Sequence, residues 1–121
     1  MKRIELAINT LHGKTFADAL QVTPRYAIHQ TLLRRKDSGR IFWAGWYYTV
    51  THVTSGHCIY GRIPSALQAA RIAVDLEAFP GEPTDVSHIN PDGTIKKKRG
   101  YATWRKHVVL ILRNHEVMVD E

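Results

Sequence analysis

Histidines, a lone cysteine and two basic runs are the parts of this sequence that could carry chemistry. His52 and His57 flank the short segment 53–56, and Cys58 follows directly. A hairpin through that segment sets the two imidazoles opposite one another, which could begin a metal site. Such a site needs at least one further ligand, commonly a carboxylate or thiolate. Strand neighbours point to opposite faces, so Cys58 leaves the face of His57. The pair is therefore expected to be structural or at a pocket rim, titrating near neutrality. The same alternation separates Cys58 from His57 as nucleophile and base. No Gly-x-Ser-x-Gly elbow, phosphate-binding loop or dinucleotide fingerprint is present in the sequence. The expectation is a non-enzymatic protein with no catalytic residue, metal or cofactor.

The basic residues carry more information. Seventeen Lys and Arg against eleven Asp and Glu give a formal charge of +6, and the charges are segregated. Arg34, Arg35, Lys36 and Arg40 form one cluster, and Lys96, Lys97, Lys98, Arg99, Arg105 and Lys106 form a second with no acid inside it. An acidic stretch of Asp75, Glu77, Glu82, Asp85 and Asp92 separates them. Clustered cations attract polyanions through counterion release without specifying which polyanion. Tyr47, Tyr60 and Arg62, with threonines between them, resemble in kind a base-stacking platform beside those cations. These thirteen residues are the expected contact set for nucleic acid or a partner complex.

The rest of the composition sets bounds. A length of 121 residues suits one domain, and 44% hydrophobic residues argue against wholesale disorder. A single cysteine excludes an internal disulfide framework and any one-chain zinc site with two thiolates. The start, Met1-Lys2-Arg3-Ile4-Glu5-Leu6, has no apolar stretch of secretory type. The longest apolar run, residues 108–112, is far too short to span a bilayer. A cytoplasmic protein without a membrane partner is the expectation.

Several elements must position these residues. Ile4, Leu6 and Ile8 alternate as in a short strand, whereas 16–20 is too brief to assign. Residues 26–33 read as a strand, and 34–40, with Asp37-Ser38-Gly39, as a polar turn. Residues 43–53 are aromatic and β-branched throughout, and 57–63 return after a tight turn. A four-residue loop pairs His52 with His57 and Val50 with Ile59. It puts Trp46, Tyr48, Val50, Ile59 and Ile63 on one apolar face. Tyr47, Thr49, Thr51, Cys58, Tyr60 and Arg62 then take the water-facing side. Residues 64–79 predict an alanine-rich helix stopped by Pro80-Gly81. Residues 80–102, rich in Pro, Gly and Lys, predict a mobile basic loop. Residues 103–115 read as a helix capped by Thr103, or as a buried strand through 108–112. The fold class is α+β: an antiparallel sheet of three to four strands packed on two helices, at about 64–79 and 103–115, in one domain spanning 1–121.

Three resemblances add expectations. The stretch Asp85-Val86-Ser87-His88-Ile89-Asn90-Pro91-Asp92-Gly93 looks like the active-site start of an HNH nuclease. That implies His88 as general base and Asn114 or His115 as a metal ligand, although the family's acidic or His partner before this histidine is missing. The strand-strand-strand-helix order over 26–79 is similar to a double-stranded-RNA-binding domain, with Ser65, Ala66 and Leu67 where that family carries lysines. Thr51-His52-Val53-Thr54-Ser55-Gly56 before an alanine-rich helix resembles a short domain of phage and plasmid accessory proteins. It implies small accessory proteins, among them inhibitors of host defence. The leading expectation is a binding protein whose basic loops meet nucleic acid or a nucleic-acid-handling complex. The alternatives are an anti-CRISPR-like inhibitor acting on a host protein, and a small metal-dependent nuclease.

Overall fold

A computed structural model describes residues 1–10, 13–34, 41–92 and 94–119. Five strands, β1 (Lys2–Thr10), β2 (Gly13–Gln21), β3 (Tyr26–Arg34), β4 (Ile41–His52) and β5 (Cys58–Ile63), form one antiparallel sheet in chain order. Helix α1 (Ala66–Ala78) follows, then the one-turn α2 (Pro83–Val86) and a ribbon of β6 (Ser87–Ile89) and β7 (Ile95–Lys97). Helix α3 (Tyr101–Asn114) completes the order. The α+β class stands, with more strands than the sequence predicts.

The extra strand is β2. Its alanines and Asp18 carry little strand preference of their own, so local sequence is silent. Pairing with β1 along nine consecutive positions, from Lys2 opposite Gln21 to Thr10 opposite Gly13, imposes the extended form. Large residues of β1 oppose small ones of β2, Leu6 against Ala17 and Ile4 against Ala19. The span 80–102 is likewise no plain loop, since it holds α2 and the β6–β7 ribbon. A reciprocal capping box between Glu82 and Asp85, with Pro83 in the first turn, nucleates α2.

One face of the sheet packs on α1 and α3. Ile28, Val50, Ile59 and Ile63 meet Ile72 and Leu76 of α1 and Trp104, Val108 and Leu112 of α3, all buried. Helix α1 begins two residues later than the predicted 64–79 span, with Ser65 as its cap, the Ser65 Oγ accepting the Gln68 N–H at 3.1 Å. The expected apolar stripe of α1 is only partly used: Ala69, Ala73 and Leu76 are buried, while Leu67 and Val74 are exposed. The span 103–115 is helical, and its cap is Gly100 at φ 87°, not Thr103.

The register of β4 departs from the expected alternation at three shifts, one against β3 and two against β5. Gln30 opposes Tyr48 but Thr31 opposes Ala44, so Gly45, Trp46 and Tyr47 loop out of β4. Trp46, expected on the apolar face, is 65% exposed in consequence. Between β4 and β5, Thr51 opposes Cys58 and Val50 opposes Tyr60, so Ile59 is the extra residue and Val50 does not face it. The bulge turns Tyr60 toward the helices, where it packs on the core and donates its hydroxyl to the Met118 carbonyl at 2.7 Å.

The other face of the sheet is covered as well. Strand β2 pairs with β3 at only two positions, Leu20 with Ile28 and Gln21 with Ala27, and beyond them the β1–β2 hairpin swings across. Leu6, Ile8, Ala17 and Ala19 come down on Ala27, with Val53 and Cys58 at the edge. The Asn9 N–H donates to the Gly56 carbonyl at 3.1 Å, which ties the end of β1 to the β4–β5 turn. Gly56 sits at φ 71°, and a Cβ there would lie 2.5 Å from the Ala7 carbonyl oxygen, so only glycine fits the closure. The result is a sheet curled into a cup.

Candidate functional site

Two places gather groups that can act on another molecule. The first is a basic face. Pairing of Ser87 with Lys97 and His88 with Lys96 fixes β7, and the Lys98 N–H donates to the Val86 carbonyl at 2.7 Å. Gly100 then turns the chain into α3, where residues four apart share a side. Tyr101 and Arg105 stack along one line, Ala102 and Lys106 along the next. Lys97, Lys98, Arg105 and Lys106 surround a shallow hollow of about 520 Å³ floored by Tyr101, with no carboxylate among its described lining residues. The Lys97 ammonium stands 5.1 Å from the centre of the Tyr101 ring. Lys96, Lys97, Lys98, Arg99 and Lys106 are exposed and Arg105 is half-buried. The positive end of the α3 dipole opens on the same side.

The structure brings Lys97, Lys98, Arg105 and Lys106 of the second basic cluster together and leaves other expected members elsewhere. Residues 35–40, with Arg35, Lys36 and Arg40, lie outside the described residues, and Arg34 ends β3. Tyr47 is half-buried within the bulge of β4, and Arg62 is exposed on β5. Tyr60 faces the helices with its hydroxyl engaged, so Tyr47, Tyr60 and Arg62 do not form one stacking face.

The second place is the cup, on the side of the sheet that strand alternation predicts to face water. Thr49 and Thr51 are buried there, because the β1–β2 hairpin covers them. Cross-strand pairing aligns His29 with Thr49 and Ala27 with Thr51. The Gln30 carbonyl, 2.8 Å from His29 Nδ1, can only accept, so Nδ1 carries the ring proton. His29 Nε2 therefore accepts from the Thr51 hydroxyl at 2.7 Å, and the Cys58 sulfur, 3.5 Å from the same oxygen, completes the chain. Thr31 donates to the Gly61 carbonyl at 2.6 Å, and Thr49 donates to Thr31 at 2.8 Å. Gly61 allows this close approach, for a Cβ would come within 3.1 Å of Thr49 Oγ1.

Burial governs the ionisation of these groups. It lowers the His29 pKa and raises that of the Cys58 thiol, and both shifts favour neutral imidazole and thiol over an ion pair. His57 is pushed down to about 4, first by burial, then by the charges of His52 and Arg105. The His57 ring lies edge-on to Trp104, 6.3 Å between centres. His52 is also lowered by burial, against the opposing charge of Glu82, whose Oε2 is 3.8 Å from Nε2. The expectation that this pair titrates near neutrality is thus corrected, because neither ring meets enough water.

His52 and His57 do face each other through the backbone, the His52 N–H donating to the His57 carbonyl at 2.8 Å. Among the described residues no group of three or more His, Cys, Asp or Glu is placed to hold a metal ion. His88 is exposed on β6, whereas His115 at the end of α3 pairs with Asp75 of α1 at 2.6 Å. The two histidines of the nuclease resemblance therefore serve different elements. No described helix is long and apolar enough to cross a membrane.

Comparison with known proteins returned no matching family model, no matching curated protein and no matching solved structure.

Proposed function

We propose that this is a non-enzymatic binding protein whose β7–α3 face contacts nucleic acid or a nucleic-acid-handling complex. One observation carries the reading: Lys97, Lys98, Arg105 and Lys106 crowd one hollow that has no carboxylate among its described lining residues. Like charges so placed repel one another and disfavour the folded state, an arrangement suited to a polyanionic partner. Tyr101 at the floor adds a ring on which a base can stack. The hollow is shallow and its cations are flexible, which suits recognition of phosphate more than readout of sequence. The test is binding of fluorescently labelled single- and double-stranded DNA and RNA at low salt. Binding that weakens alike on all sequences when Lys97 and Lys98 become alanine supports the reading. Absence of binding to every probe at low salt overturns it.

A further inference from the structure

Two cavities meet at His57. One, of about 350 Å³, is the interior of the cup, and none of the described residues lining it is charged. The other, of about 450 Å³, lies under the β6–β7 ribbon and carries Lys14 and Lys98 with no carboxylate among its described lining residues. Asn9, His57 and Ile89 border both. The first has the size of an ordinary small-molecule pocket.

Within the cup, the other polar side chains satisfy one another: His29 with Thr51, and Thr31 with Thr49 and Gly61. His57 differs. It is 5% exposed and borders both cavities, and its ring makes no hydrogen bond to another described residue. Asn9 uses its amide N–H on the Ser55 carbonyl, and Oδ1 accepts from no other described residue. The His57 ring nitrogens are available to a ligand at the junction of the cavities, whereas the buried nitrogen without a hydrogen-bond partner among the described residues is His52 Nε2. The boundary between the chambers thus offers a ring donor, a ring acceptor and an amide acceptor.

We propose that the two chambers form one site for a small anionic heteroaromatic molecule, of nucleoside-monophosphate type. The uncharged ring occupies the cup against Ile8, Leu32 and Ile95, His57 and Asn9 read its polar edge, and Lys14 and Lys98 hold the anionic group. The lining discriminates among chemistries. An acyl chain would leave His57 and Asn9 unpaired, and a sugar would turn hydroxyls onto isoleucine and leucine. A ring with donors and acceptors only on its edge satisfies both walls. This inference shares Lys98 with the β7–α3 face but not the cup or Lys14, so Lys14 variants separate the two readings.

Titration with adenosine, guanosine, cytidine and uridine monophosphates, followed by tryptophan emission, tests the site, since Trp104 touches His57. At least one nucleotide is expected to give a saturable change. Its nucleoside should bind about tenfold more weakly for want of the charge-assisted contacts. Inorganic phosphate alone should produce no saturable change. Lys14 is exposed, so Lys14→Ala should fold and lose the advantage of nucleotide over nucleoside while keeping any nucleic-acid binding of the basic face. His57→Phe should lose binding of both small molecules. No saturable response to any of the four nucleotides, equal response to phosphate, or full affinity in both variants would overturn the proposal.

Discussion

Acidification from pH 7 to pH 4 sets the folded protein against its own buried His57. In the unfolded chain this side chain takes up its proton near 6.5; in the folded protein it does so near 4. Between those values the unfolded state binds more protons, so stability falls as the pH is lowered through 6.5 and the loss is complete below about 4. The full displacement corresponds to about 3 kcal/mol. His29 and His52 shift in the same direction for the same reason, burial, and add to the slope. Domains of ordinary stability have about 5–15 kcal/mol in all, so the His57 share is large. In urea, with slopes of about 1–3 kcal/mol per molar, it lowers the unfolding midpoint by about 1–3 M. The assay is urea unfolding at several pH values between 7 and 4, on wild type and on His57→Phe, which keeps a ring against Trp104. Subtracting the two removes carboxylates and the other histidines. The difference should shrink steadily toward low pH, and equal pH slopes in the two proteins would refute the burial argument.

Two structural predictions accompany it. Gly56→Ala combines a left-handed backbone position, which costs about 1–2 kcal/mol for a side-chain-bearing residue, with a Cβ 2.5 Å from the Ala7 carbonyl. Its melting temperature should drop well below that of wild type, and an unchanged value would mean that Gly56 does not hold the closure of the cup. Arg25 docks α1 on the sheet: its Nε pairs with Glu77, and its other nitrogens donate to the carbonyls of Glu77 at 2.7 Å, Gly81 at 3.2 Å and Phe79 at 3.3 Å. Replacing it with methionine should cost about 2–4 kcal/mol, as charge-assisted bonds at a half-buried helix end are lost. Adding Glu77→Gln should then cost little more, and full additivity in that double-mutant cycle would show that the two residues do not act together.

What the sequence discloses about this fold depends on whether the signal is local. The α1 helix, the β4–β5 hairpin closed by His52 and His57, and the basic run at 96–99 are all written in contiguous residues. Strand β2 is not, because Phe16-Ala17-Asp18-Ala19-Leu20 becomes extended only through its partner β1. The polar residues Thr49 and Thr51 look solvent-facing by alternation, yet a distant hairpin lies across them. No local rule shows where a sheet curls, so the cup and the role of His29 went unseen. The bulges at 45–47 and at Ile59 had the same effect on Trp46 and Tyr60, since one inserted residue reverses every later side chain. The charge clustering was legible because it needs no register. Glycines 56 and 61 were the available hints that backbones approach closely there.

The salt dependence of nucleic-acid binding tests the central claim most directly. Each phosphate contact contributes about 0.7–0.9 to the slope of log K against log salt. Neutralising Arg105 and Lys106 together, on α3 and away from the cup, should therefore weaken binding at low salt and reduce that slope by about 1.4–1.8. An unchanged slope and affinity in Arg105→Ala/Lys106→Ala would contradict the assignment of the β7–α3 face.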